Sequence, residues 1–187
     1  MLRLLTTTAI VAAGLLAAPQ VFAQTGQPSR PAVSSSKDAL DQQDRKFVQA
    51  VTIGGMAEVE LSKIAQKSEN ADVKRFADRM IEDHTKANEQ LTAIASGLGV
   101  EPPKALDSEH ERTRDKLRTL HGKAFDDQYA HDMVEDHEKA VKLFREEEHS
   151  GHNTELEQFA RKTLPTLEEH QKMALELSHK LSQTAAR

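Results

Sequence analysis

Apolar residues recur at intervals of three and four along most of the chain beyond residue 40, and this periodicity constrains the fold more than any other feature. The interval places apolar side chains on one face of an α-helix, whereas a half-buried strand needs alternation every two residues. No segment of the sequence shows that alternation. We therefore predict an all-α protein with one domain at residues 38–183, a length sufficient for a single hydrophobic core.

Capping residues, glycines and prolines divide the pattern into four long helices and one short helix. Tight turns are predicted within each pair of long helices, and a longer connection that carries the short helix joins the two pairs. A ferritin-like four-helix bundle has one such crossover connection. The predicted helices run from about Leu40 to Ser68, from Ala71 after a cap at Asn70 to Leu98, from a capping box that begins with Ser108 to about His121, from Lys123 to His149, and from a cap at Asn153 past Leu181.

Pro165 lies inside the last helical segment. A proline at such a position removes one backbone hydrogen bond and disturbs the preceding turn. We expect either a kink about one turn before His170 or a break that divides the segment into two helices.

The N-terminal part of the chain has a different character. An apolar run follows Arg3, and Val21-Phe22-Ala23 has the form of a cleavage site, so residues 1–23 are predicted to be a secretory signal peptide. Residues 24–37 are rich in Gln, Ser, Pro and Gly and are predicted to form a flexible linker. The expected location is the periplasm or the exterior, with no integral membrane span in the mature chain.

Composition excludes several classes of function. The chain has 25 basic and 30 acidic side chains, interleaved along the helices, with one Tyr and no Trp, so a nucleic-acid partner is not expected. The absence of cysteine excludes disulfides, thiolate metal sites and cysteine nucleophiles. No phosphate-binding glycine loop or nucleophile motif is present, and we do not expect an enzyme.

Histidine occupies the apolar face of three different predicted helices. His84 and His137 each end the same phrase, which reads Met-Ile-Glu-Asp-His at residues 80–84 and Met-Val-Glu-Asp-His at residues 133–137. His170 lies on the apolar face of the last helix. Because an unpaired polar group in a core costs on the order of a few kcal/mol, these imidazoles are either metal ligands or members of a buried polar network.

Glu58 on the first helix is predicted to stand at nearly the same height as His84, so a central layer of one glutamate and three histidines is expected. Neutral imidazoles and one carboxylate suit a single transition-metal ion such as Zn, Cu or Fe. The predicted metal site is therefore His84, His137, His170 and Glu58. Glu60 competes with Glu58 for the inward position, since a small rotation of the helix would exchange them.

Two further sets of residues accompany the histidines. Methionines share their helix faces and would favour copper as soft ligands, although methionine on an apolar face is commonly core packing. Acidic residues flank the histidines, either on solvated faces or as groups that orient a ligand. These methionines are Met80, Met133 and Met173, and the acidic residues are Glu82, Asp83, Glu135, Asp136 and Glu169.

Over about residues 40–182 the chain resembles a bacterial family of unknown function, whose members are exported ferritin-like four-helix proteins often labelled predicted outer membrane proteins. The resemblance rests on Phe47, Gly55-Met56-Ala57-Glu58, Val73 to Ala77, Met80 to His84, Phe125-Asp126 with Tyr129, Asp136-His137, and Phe159-Ala160 with Leu164-Pro165 before His170. It implies a ferritin-like fold and an envelope location, and no established reaction. The Glu-x-x-His motifs of di-iron relatives are absent, because Ile81, Val134 and Leu167 stand three residues before the histidines.

Two functions remain open at this point. In the first, an exported bundle binds one transition-metal ion through the histidines and serves metal handling or envelope stress. In the second, a metal-free bundle with a buried histidine network is an interaction or structural module of the cell envelope, with an envelope protein or a second copy of the chain as its partner.

Overall fold

The computed structural model describes residues 40–184, and within this range all regular structure is helical, with no strand. The signal peptide and linker predicted for residues 1–37 lie outside the described residues. Nowhere in the described range is a helix both long and apolar enough to cross a lipid bilayer. The helices are α1 (Gln42–Ala65), α2 (Ala71–Gly97), α3 (Ser108–Thr119), α4 (Gly122–Ser150) and α5 (Thr154–Thr184).

The four long helices form a ferritin-like bundle, as the periodicity predicts. The most extensive contacts lie within the two hairpins, α1 with α2 and α4 with α5, and α1 also packs on α4 while α2 packs on α5. Each long helix is thus in contact with two others, and its apolar face is covered from both sides.

The apolar core is divided into two clusters, which also define the direction of each helix. One cluster contains Ala65 at the end of α1, Val73 at the start of α2, Phe125 at the start of α4 and Leu181 near the end of α5. The other cluster contains the opposite ends of the same helices, including Phe47, Ala95, Phe144 and Leu156. Neighbouring helices are therefore antiparallel, and α2 and α4 run in the same direction.

Because α2 and α4 are parallel, the connection between them must return along the length of the bundle. It carries α3, which packs against α1 and α4. Leu117 of α3 is fully buried in the first core cluster, and Arg114 lies 3.7 Å from Glu60 of α1. The crossover with a short extra helix is thus present as predicted.

Side-chain caps begin α1, α2, α3 and α5, whereas α4 begins without one. The Asn70 carboxamide oxygen accepts a hydrogen bond from Asp72 N at 2.9 Å, and Asn153 caps α5 through Glu155 N at 3.0 Å. One assignment was wrong by a residue: the cap of α3 is Asp107, which accepts from Glu109 N and His110 N, and Ser108 is already helical. An aspartate placed there satisfies two amides at once.

Pro165 neither ends nor divides α5, which is continuous from Thr154 to Thr184. The residue is exposed, so its ring projects away from the core and disturbs only the solvent-facing side of the helix. The predicted break is therefore absent, because packing of the apolar face on both sides of the proline keeps the segment helical.

Candidate metal centre

A polar layer separates the two core clusters, and each long helix contributes one residue to it. Glu58 of α1, His84 of α2, His137 of α4 and His170 of α5 are all buried, with exposed fractions between 0% and 8%. On every helix the layer residue falls between positions of the first cluster and positions of the second. The inward facing predicted for these four residues is therefore correct, and Glu60, which is less buried, pairs with Arg114.

The three histidines, which we call the His triad, converge on a common point. The ring centroids of His84 and His137 are 5.5 Å apart, and each lies 5.4 Å from the centroid of His170. One nitrogen from each ring lies within 4.8 Å of the other two. A single ion would fit between these three ligand atoms after a small inward movement of the rings, because a metal–nitrogen bond is roughly 2 Å long.

The direction of the side chains explains how His137 and His170 reach the same level. His137 lies 13 residues before Ser150, and His170 lies 16 residues after Thr154, a difference of nearly one helical turn. Side chains on an α-helix tilt toward the N-terminus of that helix. His137 therefore leans away from the α4–α5 turn and His170 leans toward it, which reduces the difference in height.

Hydrogen bonds fix which nitrogen of His137 carries the proton. Its Nδ1 lies 2.8 Å from the carbonyl oxygen of Met133, and only a protonated nitrogen can donate to a carbonyl. The Nε2 atom of the neutral ring then carries a lone pair, which accepts a hydrogen bond from His84 Nε2 at 3.4 Å. His137 thus presents a nitrogen lone pair to the centre of the triad.

His170 is oriented in a similar way by Asp83 of α2. The Nε2 atom of His170 donates to Asp83 Oδ2 at 2.9 Å, and Asp83 also accepts a hydrogen bond from Arg79. The second nitrogen, Nδ1, is buried and finds no hydrogen-bond partner among the described residues. A carboxylate that holds the outer nitrogen of a histidine is typical of metal ligands, because it sets the tautomer and leaves the inner nitrogen unprotonated.

The environment keeps all three rings neutral. Burial lowers the pKa of His84 well below its ordinary value, with further lowering by His137 and His170. Burial also lowers the pKa of His137 to about 4, against a raising effect of the Met133 carbonyl. Burial lowers the pKa of His170 as well, although its hydrogen bond to Asp83 acts in the opposite direction. Neutral imidazole is the form that binds metal ions.

Glu58 lies behind His137 rather than between the rings. Its Oε1 atom is 3.6 Å from His137 Nδ1, the nitrogen that points away from His84. Burial raises the pKa of Glu58 well above its ordinary value, and the negative charges of Asp136 and Asp132 raise it further. Its Oε2 atom is buried without a hydrogen-bond partner in the described part of the chain. Direct coordination by Glu58 would require its side chain to rotate toward the triad.

The two matching phrases have different roles in the folded chain. Asp83 reaches across to His170 on α5, whereas the corresponding Asp136 lies 3.6 Å from Lys139 on its own helix. In the sequence, each aspartate directly precedes a histidine, so the two positions look equivalent. The sequence pattern therefore does not identify the contact between Asp83 and His170. Only the packing of α2 on α5 distinguishes them.

Two other flanking acids lie on solvated faces, and the methionines lie in the core. Glu82 pairs with Lys86 at 2.6 Å, and Glu135 lies 3.6 Å from His131, both on exposed faces. Met80 and Met133 are fully buried, and Met173 packs against them in the first core cluster. The methionines therefore contribute to core packing.

The fold and site define an all-α bundle with a buried three-histidine centre. The chain belongs to the family described as "Domain of unknown function (DUF4142)", whose profile matches residues 29–177. This agrees with the resemblance drawn from its motifs. None of the curated proteins matches the chain.

Two solved structures are similar to the chain in fold. One is a DUF305 fragment from Deinococcus radiodurans, with a TM-score of 0.67 and 19% identity over 75% of this chain and 98% of that one. The other is CopM in its Cu(II)-bound form, with a TM-score of 0.63 and 16% identity over 73% of this chain and 96% of that one. At these identities the similarity concerns the fold alone.

Proposed function

We propose that this protein binds one transition-metal ion through His84, His137 and His170, and serves metal handling or envelope stress rather than catalytic turnover. The observation that carries the proposal is the buried Nδ1 atom of His170, which has no hydrogen-bond partner among the described residues. Burying an unpaired acceptor is unfavourable. A cation bound by the three rings would satisfy this lone pair and would take the place of His84 as the partner of His137 Nε2.

The donor set limits the identity of the ion. Three neutral nitrogen ligands suit Zn, Cu or Fe, and are a poor match for Mg or Ca, which prefer oxygen. A copper ion is further supported by the fold shared with CopM, whose solved form contains Cu(II). Three protein nitrogens leave one coordination position open, which Glu58 would fill after rotation and which another ligand can fill otherwise.

The proposed place of action is the periplasm or the cell exterior. It is supported by the apolar N-terminal run and the cleavage pattern before Gln24. We expect protein recovered from its native compartment to begin at Gln24. Intact-mass measurement tests this, and a mass corresponding to the uncleaved chain would contradict it.

Metal content is the direct test of the metal proposal. Protein purified from its native compartment without added metal should carry close to one ion per chain by elemental mass spectrometry, and His84→Ala should lose most of it. His131→Ala is the matched control, because His131 is an exposed residue of α4. A content near zero in the native protein that is unchanged in His84→Ala would rule the proposal out.

The competing function is a metal-free interaction module of the envelope. It is favoured by the contact between His84 Nε2 and His137 Nε2 at 3.4 Å, through which the rings satisfy part of their own polar layer. Thermal melting with and without chelator distinguishes the two functions. A melting temperature that chelator does not change would support the module, whereas a decrease would support the metal centre.

A further inference from the structure

A cavity of about 210 Å³ lies beside the His triad, between the α1–α2 hairpin and the α4–α5 hairpin. Small residues create the space: Ala50 and Gly54 on α1, Ala87 on α2 and Ala140 on α4. Larger apolar side chains, among them Leu143, Phe144 and Leu167, complete the wall. A wall of this composition favours an apolar occupant.

The most buried polar residues of the cavity are Glu58 and His84. The Oε2 atom of Glu58 is buried and has no hydrogen-bond partner in the described part of the chain. His137 and His170 do not line the cavity, so His84 is the member of the triad that does. The cavity thus combines an apolar wall with one carboxyl oxygen that lacks a partner.

Apart from Glu58, whose burial disfavours a charge on its carboxyl group, the charged side chains of the cavity offer no excess of either sign to a ligand. Asp136 and Lys139 both line it and lie 3.6 Å from each other, so their charges offset one another. A charged ligand would lose its hydration without gaining an unpaired counter-ion. The expected ligand is therefore neutral.

We propose that this cavity binds a neutral molecule of single-ring size that carries one hydroxyl group, with the hydroxyl paired to the free oxygen of Glu58. The size follows from the volume, since an apolar cavity of about 150 Å³ in another protein holds benzene. The hydroxyl follows from Glu58, because its unpaired oxygen is satisfied only by a ligand that can form a hydrogen bond. Binding at this site does not require a metal ion.

Phenol and toluene are suitable probes because they have nearly the same shape and differ in the hydroxyl group. In a wholly apolar cavity phenol binds poorly, since its hydroxyl is buried without a partner. Here phenol should bind the chelator-treated full chain saturably, with a dissociation constant similar to or lower than that of toluene. Titration calorimetry measures both constants, and the use of metal-free protein separates this test from that of the metal proposal.

Substitution of Glu58 tests the hydrogen bond. Glu58→Met keeps a side chain of similar length and removes the oxygen, so phenol should bind roughly 10-fold more weakly while toluene changes much less. Glu58→Gln, which keeps an oxygen, should restore phenol binding. Equal weakening of both probes in Glu58→Met would overturn the assigned role of Glu58.

Filling the cavity tests its location. A Cβ added at Gly54 meets no atom within 4 Å, so Gly54→Leu has room to extend into the space and should abolish binding of both probes. Gly97→Leu is the matched control, because Gly97 is also helical with open space around it and lies outside the cavity. Ala140→Met fills the cavity from α4 if Gly54→Leu does not fold. The proposal is overturned if phenol does not bind at its solubility limit, or if binding survives in a folded filling variant.

Discussion

At the scale of single residues, hydrogen bonds decide which ring nitrogen of His137 and of His170 remains available to a ligand. Met133 and Asp83 occupy the outer nitrogens of His137 and His170, and the inner nitrogens keep their lone pairs. In the proposed metal centre this arrangement would orient two of the three rings before an ion binds, which would reduce the cost of orienting them on binding.

Asp83 should act as a positioning residue for the metal. Asp83→Ala removes the acceptor that holds His170 Nε2, so metal affinity should fall by about 10- to 100-fold. Competition with a chromophoric chelator measures the change. Asp136→Ala is the matched control from the second phrase, and its affinity should remain close to that of the native chain. Equal losses in the two variants would show that local charge, and not orientation, accounts for the effect.

Glu147 near the end of α4 should make stability depend on pH. Burial, followed by the nearby Asp44 carboxylate, raises the pKa of Glu147 from 4.5 to about 7. Between these values the folded chain holds a proton that the unfolded chain has released, so the free energy of unfolding decreases as pH rises from about 4.5 to about 7 and then levels off.

Glu147→Gln should remove this contribution. Relative to the native chain, the variant should gain stability as pH rises through this window and keep the gain at pH 8. Urea unfolding across the pH range measures it, with Glu146→Gln as an exposed neighbouring control. A constant difference between variant and native chain at all pH values would contradict the assigned pKa.

At the scale of helices, Pro165 shows how packing overrides a local signal. The proline is exposed, and α5 continues through it to place His170 in the layer. Its neighbours Leu164 and Leu167 are buried in the second core cluster and hold the helix on both sides of it. The local cost of the proline is thus offset by burial of the apolar face.

Pro165→Ala should therefore stabilise the protein. Restoring a helix-forming residue with a backbone N–H should raise the free energy of unfolding by up to about 3 kcal/mol without disturbing the core. Denaturant unfolding gives the change in stability, and metal titration gives its effect on the site. Unchanged metal affinity would identify Pro165 as a tolerated surface residue. A decrease would show that the proline positions His170.

At the scale of the whole molecule, the His triad connects three of the four long helices across the centre of the bundle. A bound ion would tie α2, α4 and α5 together in the folded state only, and stability should rise with ion concentration. At a free zinc concentration 100 times the dissociation constant, the gain should be about 2.7 kcal/mol.

The zinc-dependent rise in melting temperature should disappear in His137→Ala. Comparing each variant with and without zinc removes the separate cost of the cavity that the substitution leaves. His131→Ala should keep the full rise, because His131 is exposed on the same helix. A rise of the same size in His137→Ala would place the zinc elsewhere.

The sequence by itself determined the helices, their order and the inward facing of His84, His137 and His170, whereas the choice between Glu58 and Glu60 required the tertiary structure. These features depend on the period of the α-helix and on capping groups, which act within a few residues along the chain. Because capping signals are local, helix ends can be predicted from the sequence, and the predicted cap of α3 was only one residue away from the observed one.

Only the tertiary structure decided which residues act on the histidines. The pairing of Asp83 with His170, the unpaired Nδ1 of His170 and the cavity beside His84 depend on the relative height and rotation of different helices. Those quantities are set by how side chains from separate elements interdigitate, and no spacing along one segment contains them. The two matching segments therefore predict the same role for Asp83 and Asp136, but helix packing brings only Asp83 into contact with the triad.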